Sequence, residues 1–446
     1  MNHADTNTSP TPHRGPSRRQ AVTGLAAVGS LAALAACAPG SSGGSQASGG
    51  GGTLRVSTWG NDSRLKLTQQ AVAEFEKANP GIKVTVENSE WTSYWDKLAT
   101  GTAANDSPDV IQMDESYIAA YGTRGALLDL GSVSGQLDLS AMDEKVRDTG
   151  MVDKTFVGAP IGTGNYSFGV NPKLLEQAGV AMPDDTKWTW DEFADLATQI
   201  SSKLSAQGVF GFDGFGVGTN EVAVWARQRG QEVFPRDDEK PADEATVTNF
   251  FEYADALIAS GATPPAAMQS ENSTAALDAS LFATNRAAFH LLFHTQISAF
   301  AAASGNELKL LRLPAKAAGE SPKMVNKASM YWSISARSKQ SENAAKFVSF
   351  VLTNPAATKI LTTERGVPAI PSVQEDIKPV LDPQAKIALE FTQAITPELV
   401  DPPQVTPANA SSWSTDYSTI ATEQIFGRST PADAAKKVVS AAAGML

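Results

Sequence analysis

Hydrophobic and polar positions along this chain follow two periods, and the switches between them lay out the fold. Residues 53–58 alternate with a period of two, as a strand with one buried face does. After Trp59-Gly60-Asn61-Asp62, the positions Leu65, Thr68, Val72 and Phe75 recur at helical spacing until Asn79-Pro80-Gly81 stops them. A second alternating run over 82–86, a helical stretch over 91–104 and a short apolar strand over 108–113 that enters Asp114-Glu115 repeat the unit. Such alternation predicts an α/β fold whose mostly parallel sheets are flanked by helices. In such sheets ligands sit beyond the carboxyl ends of the strands, which makes Trp59, Asp62 and Asp114 candidates by topology alone.

Two short apolar runs, 156–161 and 166–170, flank Gly162-Thr163-Gly164-Asn165, and a helical stretch over 172–179 follows. This segment is either a crossing between two lobes or a surface hairpin, since glycines at a turn serve both. Thr189 and Glu192 satisfy a capping box, so Trp188 and Trp190 are expected to anchor a helix start rather than a ligand. Ala344, Phe347, Val348 and Val351 make an amphipathic helix that Asn354-Pro355 ends. The final third, with Asp401-Pro402-Pro403 and Pro407, is expected to join helices by long loops.

Length and composition divide this pattern into domains. At 446 residues, 42% hydrophobic and 19% charged, the chain exceeds one core of usual size, which predicts two domains. Its net charge is −12; without the first 36 residues, which carry three Arg and one Asp, it is about −14, which disfavours nucleic acid and polyphosphates. Cys37 is the one cysteine, and only His290 and His294 lie beyond the N-terminal region, which removes disulfides, cysteine-rich zinc sites and a later Cys nucleophile. His290 and His294, four apart, would share a helix face as a metal pair with Glu271 or Asp278 nearby, but a packed or cleft-lining histidine is the preferred reading. No metal or cofactor is expected.

The N-terminus has its own logic. Ser17-Arg18-Arg19 precedes an uncharged small-residue run over 21–36, the order of an export signal, by a twin-arginine or a general route. Leu34-Ala35-Ala36-Cys37 looks like a bacterial lipobox, with Cys37 as the lipidated residue. The Ser/Gly tract after it is a tether of roughly 20 Å root-mean-square span. The expected location is therefore extracytoplasmic, lipid-anchored to the cell membrane.

The order of Ser107-Pro-Asp-Val-Ile-Gln-Met-Asp114, Leu127-Leu-Asp-Leu130, Val157-Gly-Ala-Pro-Ile161, Trp190-Asp-Glu-Phe193, Phe282-Ala-Thr-Asn-Arg-Ala-Ala-Phe289 and Ile334-Ser335 resembles the family 1 extracellular solute-binding proteins of carbohydrate ABC transporters. The resemblance implies a two-lobed periplasmic-binding-protein-like fold. Its lobes would be discontinuous, with 53–160 and 291–333 in one, 161–290 and 334–446 in the other, and crossings near 159–161, 289–292 and 332–337. It implies a monomer that captures a carbohydrate, presents it to membrane permease subunits and performs no chemistry. Sugars need flat apolar faces beside planar polar groups. The candidate set is Trp59, Asp62, Asp114, Asn165, Tyr166, Trp225, His290, Tyr331, Trp332, Arg365 and Trp413. The alternative is a secreted polysaccharide hydrolase in which Asp62 and Asp114 would pair as acid and base.

Overall fold

The computed structural model describes residues 52–446. The export signal, the lipobox cysteine Cys37 and the tether expected before residue 52 lie outside the described residues.

The first strand, Thr53–Trp59, buries Leu54, Val56 and Thr58 on one face while Arg55 points out to Glu87 and Asp106. The helix Asp62–Ala78 starts at Asn61, whose side chain accepts from the Arg64 amide, and buries Thr68, Ala71, Val72 and Phe75. With Lys83–Ser89 and Val110–Met113, that strand forms a parallel core. The helix Trp190–Leu204 carries the expected capping box, and Trp188 and Trp190 are buried in the core.

Two sheets organise the chain. The large one has the order Val367–Pro368, Ala159–Gly164, Lys327–Ile334, Val110–Met113, Thr53–Trp59, Lys83–Ser89. The small one runs Lys309–Leu311, Tyr166–Val170, Ala287–Phe293, Phe210–Phe212. The α/β class stands, but both sheets are mixed rather than mostly parallel. Lys327–Ile334 enters the large sheet from the other lobe and pairs antiparallel with both Val110–Met113 and Ala159–Gly164, and only Phe210–Phe212 is parallel to its neighbour in the small one. Strands arriving by a crossing need no covering helix of their own, so the parallel rule does not bind them.

The segment around Asn165 is a crossing and not a hairpin. Ala159–Gly164 and Tyr166–Val170 do not pair with each other; each has its partners in a different sheet. Gly162 and Gly164 therefore belong to the strand, not to a turn. A Cβ at Gly162 would lie 2.8 Å from the backbone of Gly366 and Val367, which explains the glycine.

The crossings fall elsewhere than expected: the first is at Asn165, since 159–161 lie inside the large-sheet strand Ala159–Gly164. Residues 289–292 lie within a small-sheet strand, because the chain turns at His294 and returns through Ile297–Ser304 to Lys309–Leu311, which pairs with Tyr166–Val170. The second crossing is thus between 311 and 327. The helices Ser341–Thr353 and Pro355–Leu361 pack with the first helix, so this part belongs with the large sheet rather than with the second lobe. The helix Pro383–Ile395 packs on Ile297–Ser304, which puts the last crossing near 378–383 and not at 332–337. The last two helices, Trp413–Ile425 and Pro431–Ala443, pack on Glu244–Ala259 in the second lobe.

Candidate functional site

The carboxyl end of Val110–Met113 delivers Asp114, which caps the helix Glu115–Gly122 by accepting the Ser116 amide at 2.9 Å through Oδ1. With one oxygen spent on the cap, the other is left for the cavity beside it. Glu115 accepts from Lys327 Nζ at 2.9 Å and from the Thr406 amide. Burial alone would lift Glu115, but Lys327 and Thr406 outweigh it and hold the carboxyl below its ordinary range. Burial likewise opposes the Lys327 charge, and Glu115 and Asp114 overcome it to raise the ammonium. Asp114 is raised by burial, which Lys327 only partly offsets.

These groups form one wall of a cavity of about 350 Å³ between the two sheets. Tyr331, fully buried, completes that wall. Its hydroxyl lies near that of Thr149, which donates to the Val146 carbonyl at 2.6 Å and keeps its lone pairs free to accept. The opposite wall comes from the small-sheet lobe. Tyr166 and Phe293 meet edge-to-face at 5.5 Å, Phe234 and Trp413 at 5.3 Å, and Thr219 and Asn220 sit at the start of the helix Thr219–Arg227. A loop closes one side and is tied to both walls: Asp401 pairs with Lys145, Thr406 donates to Glu115, and the Pro402 carbonyl accepts from Arg236. An adjoining recess of about 690 Å³ shares Asp114, Gly164, Phe293 and Lys327, so the two spaces are one cleft. Aromatic faces opposite carboxylates, an ammonium and hydroxyls suit a neutral polyhydroxylated ligand.

Of the residues proposed from sequence, the structure gathers Asp114, Tyr166, Tyr331 and Trp413 around this cavity. The others lie apart. Trp332 follows Tyr331 on the same strand and so faces the helix layer, against Phe347 at 6.4 Å and Arg365 at 5.7 Å. Arg365 is 5% exposed behind the sheet. Trp225 is buried among Trp190, Phe250 and Tyr253 with Arg229 3.7 Å over its ring. Trp59 is buried beneath the half-exposed Trp91, beside Tyr94 and Trp95. Asp62 is exposed in the first turn of its helix and does not reach the cavity, so the acid–base pair with Asp114 is not assembled there.

Asn165 and the two histidines take structural positions. The Asn165 amide donates to His294 Nδ1 at 2.9 Å, and the His294 amide donates back to the Asn165 carbonyl at 2.9 Å. Because Nδ1 accepts, Nε2 carries the proton and donates to Thr392 Oγ1 at 2.7 Å, which itself donates to the Ala388 carbonyl. Burial lowers this imidazole to about 3. His290 lies in a strand, not on a helix, and its Nδ1 is 2.7 Å from Asp213 Oδ2 between Phe282 and Phe300. Among the described residues no group of three or more His, Cys, Asp or Glu could hold a metal ion.

Glu221 holds the start of the cavity-lining helix. Its Oε2 accepts from the Gly216 amide at 2.6 Å and the Gly218 amide at 3.3 Å, yet burial, with Asp213 adding, lifts it to about 8. Glu115, Lys327, Phe234, Phe293 and Glu221 were not singled out from sequence. Glu115 had a signal, its place just past a strand end; Lys327 had none, because its partner is far away in the chain.

A two-lobed α/β chain with a cleft between its sheets has the architecture of a binding protein. Residues 61–358 match the bacterial extracellular solute-binding protein family, and the chain belongs to that family. Among solved structures, a family 1 extracellular solute-binding protein from Alicyclobacillus acidocaldarius is 25% identical with a TM-score of 0.69, over 87% of this chain and 97% of that one. An ABC substrate-binding protein from Listeria monocytogenes in complex with cycloalternan is 23% identical with a TM-score of 0.72, over 88% and 98%. Among curated relatives, an uncharacterized lipoprotein of Streptomyces antibioticus is 27% identical over 41% of this chain and 39% of its own length. The diacetylchitobiose-binding protein of Streptomyces coelicolor is 24% identical over 43% and 45%. The chain thus spans less than half the length of these curated relatives.

Proposed function

We propose that the protein is an extracytoplasmic lipoprotein that captures a carbohydrate, an oligosaccharide by the combined volume of the two joined spaces, and hands it unchanged to an ABC transporter permease. The observation that carries this is the cleft itself: aromatic rings from one lobe face Asp114 and Lys327, backed by Tyr331, from the other. A ligand touching both walls gains more from the closed arrangement than from an open one, and that difference drives closure. Relatives named for diacetylchitobiose and cycloalternan favour the carbohydrate class. The absence of an assembled Asp62–Asp114 pair favours binding over hydrolysis. No helix among the described residues is long and apolar enough to cross a membrane, and the lipobox sequence at Cys37 supports a lipid anchor.

A thermal-shift panel of mono- and oligosaccharides tests the reading. A true ligand at a hundred times its dissociation constant should add about 2.7 kcal/mol of stability and be recovered intact. No shift with any sugar, or recovery of cleaved sugar, would overturn it. Asp114→Asn sharpens the test, because Asn caps a helix as well as Asp does. We expect near-unchanged stability and an affinity loss of about 1.5 to 3 kcal/mol, the worth of a charged hydrogen bond, in calorimetry. Cys37→Ser should move the protein from the membrane to the soluble fraction; continued fractionation with membranes would refute the anchor.

A further inference from the structure

Arg365 sits in the short connection between Pro355–Leu361 and Val367–Pro368, where its neighbours Glu364 and Gly366 line the recess of the cleft while its own side chain is buried beside Trp332. Its Nη2 donates to Thr68 Oγ1 at 2.9 Å and its Nε to Gln112 Oε1 at 3.3 Å, both neutral acceptors. Nothing among the described residues accepts from its buried Nη1. The adjacent carboxylate, Glu364, already pairs with Arg64 Nε at 3.0 Å, so two guanidinium groups share one carboxylate. Burial, with Arg64 adding, pulls Arg365 down to about 9, which still leaves it charged at neutral pH.

Arg365 lines a cavity of about 30 Å³ together with Thr358, whose hydroxyl is also buried without a partner. The remaining walls are largely apolar, with Ile161, Trp332, Leu352 and Leu361 among them. The space exceeds the roughly 10 to 15 Å³ that a water needs, but it is far too small for a sugar or a sulfate. We propose that this cavity binds one monovalent anion of chloride size, held by Arg365 Nη1 and the Thr358 hydroxyl. Both groups can donate, which is all that an anion requires. A water placed there would accept from Arg365, donate to Thr358 and leave its second proton against hydrocarbon. An anion also neutralises a buried charge that otherwise has no counter-ion of its own. The Arg365 carbonyl accepts from the Ser329 hydroxyl and Val367 pairs with Thr163, so the ion would fasten this connection to the crossing strand.

The test compares thermal unfolding of the full chain in sodium chloride and sodium gluconate at equal ionic strength. Relative to gluconate, Tm should rise by several degrees with chloride, and bromide should replace it. In Thr358→Val, which keeps the side-chain volume, the halide dependence should shrink or vanish. Crystals grown in bromide give a readout independent of any variant, an anomalous peak beside Arg365. Equal Tm in chloride and gluconate, a halide dependence unchanged in Thr358→Val, or no bromide peak beside Arg365 would each overturn the proposal.

Discussion

Stability should be greatest between about pH 4.5 and 6.5 and should fall on both sides, because two buried groups titrate with opposite slopes. His294 has a folded value of about 3 against an ordinary 6.5. As pH falls, the unfolded chain takes up this proton first, so stability drops by about 1.4 kcal/mol per pH unit between those values. Glu221 has a folded value of about 8 against an ordinary 4.5. Here the folded chain keeps the proton, so stability drops at a similar rate as pH rises from 4.5 to 8. Where the windows overlap the slopes cancel, leaving a plateau. Urea denaturation over a pH series should show it, and two variants assign its edges. His294→Asn, which keeps an acceptor for the Asn165 amide, should flatten the acid side, and Glu221→Gln should flatten the decline above 6.5. An acid slope unchanged in His294→Asn would defeat the assignment.

Lys327→Met should cost both stability and binding. Removing one partner of a fully buried pair costs about 3 to 5 kcal/mol, because the other charge is left behind. Lys327 is 37% exposed, so solvent screens the loss, and about 2 kcal/mol is expected from denaturation midpoints. Glu115, now without its ammonium, should titrate closer to neutrality, and the wall of the cleft should lose the cation that acts on Asp114. Sugar affinity should therefore fall in parallel. A variant as stable as the parent would mean that Glu115 relies on Thr406 instead.

Much of the fold was legible because periodicity is local. The strand ending at Trp59, the helix ending at Ala78 and the capping box at Thr189 all carry their causes within a few residues, whereas the glycines before Asn165 fitted a hairpin as well as a crossing. The strand-end rule reached Asp114 for the same reason. Tyr166, Tyr331 and Trp413 came from the resemblance, not from spacing. What sequence could not supply was direction. Tyr331 and Trp332 were both placed in the site, but the pleat sends neighbours to opposite faces and only one can meet the cleft. Trp225 offered the right ring on the wrong side of its helix. The crossing expected at 289–292 shifted because a return strand of three residues, Lys309–Leu311, is too short to announce itself, and the one at 332–337 because the helices over 341–361 pack back on the first helix, a long-range contact. Lys327 stayed hidden because an ion pair across some two hundred residues leaves no periodic trace.

The crossing at Asn165 also has a mechanical asymmetry. Both backbone groups of Asn165 are bonded to His294, and His294 is locked to Thr392, so this residue is welded to the second lobe. On the other side, Ala159–Gly164 pairs with Lys327–Ile334 through a ladder whose register shifts twice, around Met330. Compliance is therefore concentrated on one bank of the joint: a torsion between the lobes would be absorbed by the irregular ladder, while Asn165 travels with the second lobe as a rigid stub. Amide exchange should reflect that imbalance, faster at Thr163 and Gly164 than at Asn165, with the difference narrowing when ligand holds the cleft shut.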